Sequence, residues 1–159
     1  MFKTVLLAYD GTGEGALALR EGALLAKACG AHVHVLCVVP QTAGVQMAEA
    51  ASAGVVAQLT VGHSQLLDAA CQRLRALGFS PDTHLVVGEP APTIGAIAHQ
   101  IHADLVVVGH RHQSPLSRWW SGSTDAYLSE HVGCSLLLSS NPISDEAFEA
   151  EVRATAAAG

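Results

Sequence analysis

The sequence predicts an α/β domain, a doubly wound five-stranded parallel sheet, and three observations carry that expectation. Four short runs, at 4–10, 32–39, 104–109 and 135–139, are continuously apolar with β-branched residues, as strands buried on both faces are. A fifth run, 82–88, alternates more and belongs nearer an edge of the sheet. The intervals between them carry helical periodicity and none is of hairpin length, so each connection is a crossover between parallel strands. At 159 residues and 50% hydrophobic, the chain can fill one core of this kind.

The elements follow in order. After "TVLLAYD" the spacing predicts a helix over 13–29, with Ala16, Leu19, Ala23 and Ala26 on its buried face and Gly30 as its stop. "HVHVLCVV" is the second strand. In the long interval 41–78, the later half places Leu66, Leu67, Ala70, Cys71, Leu74 and Leu77 on one helical face, with Ser64 as a cap and Gly78 as terminator. The earlier half is rich in Ala, Gly and Ser and only weakly patterned. "EPAPTIGAIAHQIHA" (89–103) predicts a short helix with its prolines at the start, where a missing N–H costs nothing, and "STDAYLSEHVG" (123–133) predicts the last. Five strands thus alternate with four helices, and no repeat or linker divides them. Beyond Asn141-Pro142, Ser144 can cap and Phe148 and Val152 lie four apart, so the tail is either a short docked helix or a disordered extension.

Composition narrows the function classes. A formal charge of −6 with eight Lys and Arg excludes the basic groove that tracks nucleic-acid phosphates. Cys29, Cys37, Cys71 and Cys134 are dispersed among apolar neighbours and form no C-x-x-C, which suits small buried hydrophobes in a reducing cytosol. The opening apolar run stops at Asp10, too early for a signal peptide, and no run is long enough to span a bilayer. A soluble, cytoplasmic chain without membrane partners is expected.

Ligands of open α/β sheets sit beyond the carboxyl ends of the strands, where the strand order reverses. Three segments should meet there: Ala8 to Thr12, Val38 to Pro40, and the loop from Gly109 to Thr124. Asp10 is placed either to accept hydrogen bonds from a ribose or a metal-bound water, or to cap the next helix through N–H groups near Thr12 and Gly13. Gly122-Ser123-Thr124 reads either as an ordinary cap or as an anion cradle, in which glycine admits a phosphate to backbone N–H groups at a helix start.

The loop resembles that of the universal stress protein family, whose ATP-binding members carry Gly, two residues, Gly, nine residues, Gly, then Ser or Thr. Here Gly109, His112, Gly122 and Ser123 keep that spacing, with histidine in place of the second glycine. "VLLAYDGT", "VVGEPAPTIGAIA" and "LSEHVGCSLLL" are similar to other parts of the family, so the resemblance runs over residues 2–140. It implies a family domain at 1–140 and an extension at 141–159. It also implies a Rossmann-like fold, of the adenine nucleotide alpha hydrolase type, with strand order 3-2-1-4-5. The ligand it implies is ATP, ADP or AMP, with any Mg2+ carried by the nucleotide. Ala8, Asp10, Val38 and Val108 would line the adenosine side, and Gly109, His112, Gly122, Ser123 and Thr124 the phosphate side. The family also implies a homodimer through the last strand, which agrees with the uncovered apolar edge at 135–139.

Other features have competing readings. His32 and His34 share a strand face and His110 and His112 share the loop, yet no further ligands follow at a structural-zinc spacing, so no metal site is expected. His110, Arg111 and His112 do gather positive charge beside the phosphate loop, which favours an anion there. Trp119 and Trp120 form either a lid or partner surface, or packing for the loop. No Walker-type lysine, paired-carboxylate metal site or nucleophile–base pair supports strong catalysis. A nucleotide-binding regulatory dimer is the leading expectation. A nucleotide-independent interaction protein with an unknown protein partner, or a slow ATPase, are the alternatives.

Overall fold

The computed structural model describes residues 1–109, 128, 130–139 and 143–157. Its five strands are β1 (Thr4–Ala8), β2 (His32–Pro40), β3 (Asp82–Gly88), β4 (Leu105–Gly109) and β5 (Ser135–Ser139). All neighbours pair in parallel, in the order β3-β2-β1-β4-β5. The doubly wound sheet and the edge position of the alternating run 82–88 are both as expected.

The helices are α1 (Gly13–Cys29), α2 (Ala43–Ala51), α3 (Val55–Ala76), α4 (Pro90–Gln100) and α5 (Asp145–Ala157). Thr12 caps α1 and Gly30, at φ 63°, ends it in the left-handed region that glycine enters without strain. Leu19, Ala23 and Ala26 are buried together with Ala18, while Ala16 is only half-buried. Helix α4 closes on His102 at φ 52°, with the Ala103 N–H donating to Ala98 O (2.9 Å), a left-handed stop built on a non-glycine residue.

The interval 41–78 departs from expectation. It holds two helices, the first capped by Thr42, and α3 begins at Val55, so Ser64 lies inside a 22-residue helix and caps nothing. The physical reason lies in burial. Residues of α3 reach the core only from Leu67 onward, through Leu67, Ala70, Cys71 and Leu74, so the stretch before it carries no apolar stripe to read. Leu66, expected on the buried face, is exposed, and α2 buries no residue. Of the helix expected at 123–133, Leu128, Glu130 and His131 are helical and the rest lies outside the described residues, apart from the closing Val132-Gly133.

Two apolar layers cover the sheet. Val5, Leu7, Val33, Val35, Cys37, Leu105 and Val107 pack on α1, α3 and α5. Leu6, Leu36, Val106 and Val108 pack on Ile94 and Ala98 of α4 and on Leu128 and Val132. The tail is a docked helix. Ser144 Oγ accepts from the Ala147 N–H (3.2 Å), and Phe148 and Val152, 1% and 3% exposed, enter the first layer. Arg20 donates to Ile143 O (2.6 Å), Lys27 donates to Val152 O (2.8 Å), and Asp145 pairs with both Arg20 and Arg73.

The tail is therefore part of the core. Phe148→Ala is expected to lower unfolding free energy in urea by about 3–5 kcal/mol, the usual cost of deleting a buried ring. A change below about 0.5 kcal/mol, as at an exposed site, would show that the helix only decorates the surface.

Candidate functional site

The strand order turns back between β1 and β4, since β2 and β3 lie to one side of β1 and β4 and β5 to the other. That is where an open parallel sheet leaves a crevice at its carboxyl edge. Ala8 stands in register with Val108 on one side and Leu36 on the other. Val38, two residues beyond Leu36, points to the same face by strand alternation, and Ala8, Val38 and Val108 all belong to the layer that packs on α4. Val108 is buried, whereas Ala8 and Val38 are half-buried. The result is a small apolar shelf that emerges at the strand ends.

Beyond Ala8 the chain turns through Gly11, at φ 80°, into α1. Asp10 Oδ1 accepts from the Thr12 N–H (3.0 Å) and from Thr12 Oγ1 (2.6 Å), and Thr12 Oγ1 accepts from the Gly15 N–H (3.0 Å). Thr12 is thus the cap, and Asp10 orients it. A Cβ on Gly15 would lie 2.3 Å from Asp10 Oδ1, so only glycine lets the carboxylate rest on the first helical turn. The cap and ligand readings of Asp10 are compatible in this geometry, because both hydrogen bonds from Thr12 fall on Oδ1, and they serve Thr12 rather than Gly13.

Gly109 ends β4, is buried, and pairs with Ser139 of β5. Ser139, itself buried, donates its hydroxyl to Glu21 of α1. His112, Gly122, Ser123 and Thr124, with His110, Arg111, Trp119 and Trp120, lie outside the described residues. Among the described residues the site therefore brings together Ala8, Asp10, Val38, Val108 and Gly109. Sequence reasoning missed Leu36, which the period-two spacing to Val38 could have found, and Gly15, whose signal is a glycine in the first turn of a helix that follows an aspartate.

Burial, then the Asp10 charge, pushes the thiol of Cys37 up to about 12, and the same causes raise Tyr9. Cys71 and Cys134 are also raised, chiefly by burial. All four cysteines are free, Cys37 and Cys71 buried and Cys29 and Cys134 half-buried, so the expectation of buried thiols holds fully for two of them.

A profile of the universal stress protein family matches residues 1–139. The chain belongs to that family. A universal stress protein of Synechocystis sp. is 35% identical over 72 residues, 45% of this chain and 47% of that protein, so the match spans about half that relative's length. Among solved structures, a universal stress protein in complex with cAMP superposes with a TM-score of 0.66 at 22% identity, covering 89% of this chain and 99% of that one. UspA from Lactobacillus plantarum gives 0.66 at 23% identity, covering 86% and 96%. The universal stress protein from Archaeoglobus fulgidus in complex with dAMP gives 0.57 at 21% identity, covering 87% and 97%. These likenesses establish the Rossmann-like fold. The family match ends at Ser139, so α5 lies beyond it.

Cys37 has a pH signature. The folded thiol titrates at about 12 and the unfolded one at 9.0, so the folded state holds the extra proton between them. Its contribution to stability is present below pH 9 and is lost as pH rises toward 12. Urea unfolding at about pH 8 and about pH 10 should show wild type losing more stability than Cys37→Ala across that interval. Equal losses would remove Cys37 as the cause.

Proposed function

We propose that the chain is an adenine-nucleotide-binding regulatory protein that acts as a homodimer in the cytoplasmic stress response. The observation that carries this reading is the meeting of Ala8, Val38, Val108 and Asp10 at the reversal point of the sheet. An apolar shelf suits a purine face, and a carboxylate beside it suits the hydroxyls of a ribose. Relatives of the same fold in complex with cAMP and dAMP support an adenosine ligand. The sequence pattern from Gly109 through His112 to Gly122, Ser123 and Thr124 supports phosphates beside it. ATP, ADP and AMP are the ligands to test, and any hydrolysis is slow because the sequence carries no Walker-type lysine, paired-carboxylate metal site or nucleophile–base pair. His112 favours a second reading, a nucleotide-independent interaction protein, because a ring stands where a phosphate-contacting glycine is found in ATP-binding members.

Calorimetry with each nucleotide, preceded by native mass spectrometry of the purified chain, tests the ligand. Wild type should bind. Asp10→Ala should weaken binding about tenfold or more, the scale of a charge-assisted hydrogen bond, and Gly122→Val should abolish it with the circular dichroism unchanged. His112→Gly separates a contacting ring, whose loss weakens binding, from a plug, whose loss strengthens it. No retained nucleotide and no heat would favour the interaction protein.

For the dimer, β5 supplies an edge that pairs only with β4 among the described residues. Leu138 is 36% exposed there, while Leu136 and Leu137 pack partly inward. Light scattering at micromolar concentration should report twice the chain mass, and Leu138→Glu should halve it. A monomeric wild type would rule the dimer out.

A further inference from the structure

The amino ends of β2 and β3 gather four side chains that the nucleotide reading does not use. His32 and His34 project to one face of β2, and Asp82 stands in register with His34 at the start of β3. His84, two residues on, shares the face of Asp82. His32 Nε2 lies 2.8 Å from Asp82 Oδ2, and His34 Nδ1 lies 3.8 Å from the same oxygen. One ligand atom from each of these three residues falls within 4.8 Å of the others. His84 Nε2 lies 3.0 Å from the same nitrogen of His34, with the two rings stacked.

We propose that His32, His34 and Asp82 form a binding site for a zinc-class divalent cation, with the fourth position open to solvent. Imidazole and carboxylate are the ligand types that borderline transition metals select, and two histidines alternating on a strand present both rings to one side without strain. Metal–ligand bonds of about 2.0–2.1 Å put the donors of a tetrahedral site roughly 3.3 Å apart. Within the set, the separations of 2.8 and 3.8 Å bracket that spacing and the third pair lies within 4.8 Å, so side-chain rotations can close the site without moving the strands. His34 is 13% exposed while His32 and Asp82 are 50% and 63% exposed, which leaves a path from solvent to a partly sheltered ligand set.

The site lies four residues before Val38 along β2, about 13 Å at the rise of a strand, and so near the opposite end of the sheet from the apolar shelf. It does not depend on nucleotide binding. Because Asp82 is on β3, an edge strand, a bound ion would tie that strand to β2 by side chains in addition to the backbone ladder. Sequence spacing concealed the set, since 47 residues lie between His34 and Asp82 and only the pairing of the two strands unites them.

The test is calorimetry of the untagged full chain, stripped with chelator and titrated with zinc chloride. One zinc per chain with a dissociation constant at or below about 1 μM is expected, with the unfolding midpoint raised by about 5 °C or more at saturating zinc. His32→Ala and Asp82→Asn alter exposed side chains and should leave the fold intact while each weakens binding by at least about tenfold. The double variant His99→Ala/His102→Ala, which removes two histidines at the end of α4, should bind as wild type does. Absence of stoichiometric binding, or binding that survives both His32→Ala and Asp82→Asn, would overturn the proposal.

Discussion

The pairing of β1 with β4 is the constraint on which the rest of the molecule depends. Val5, Leu6, Leu7 and Ala8 align with Leu105, Val106, Val107 and Val108, and the first three of each set are almost wholly buried. A slip of one residue would turn each side chain to the opposite layer, so the two apolar layers hold the register. Asp104 pins it at the amino end. Its carboxylate accepts from the N–H groups of Lys3 (2.7 Å) and Thr4 (2.9 Å), and these bonds hold its pKa below the usual range. Register set there is transmitted along rigid strands to the other end, where it decides that Ala8 faces Val108.

The same pair dictates how closely the helices approach. A Cβ on Gly22 would lie 2.3 Å from Leu7 Cδ2 and 3.1 Å from Val107 Cγ2, so α1 lies directly on the two central strands. That depth brings Thr12 and Gly15 to the strand ends beside Asp10. It also leaves α1 able to receive α5, whose Phe148 and Val152 close the layer that α1 and α3 begin. The tail, outside the family match, thus completes one face of the fold, while α4 covers the other, on which the apolar shelf emerges.

The ends of the sheet differ in chemistry because different strands dominate them. At the carboxyl end, glycine turns and an aspartate-held threonine surround apolar residues. At the amino end of β2 and β3, imidazoles and a carboxylate crowd one face near an open edge, where partial exposure lets polar side chains replace the aliphatic ones required at the centre. Buried strand centres tolerate little variation in polarity, so both candidate sites fall where the strands leave the core.

Local chemistry was legible in the sequence alone. Continuous apolar runs marked β1, β4 and the Val35 to Val39 part of β2 because strand segments buried on both faces must be apolar, and Gly30 marked the end of α1 because of its left-handed stop. Of the residues expected on the phosphate side, His112, Gly122, Ser123 and Thr124 rest on motif spacing by itself, as they lie outside the described residues. Tertiary structure decided what depends on partners distant in sequence. Helix α3 starts at Val55 although its first turns bury no apolar stripe, the tail is ordered by the layer it enters, and Leu36 joins the shelf through its register with Ala8. The histidine and aspartate cluster shows the difference most plainly: residue types and strand alternation are written along the chain, but which strand lies beside β2 is settled only when the sheet assembles.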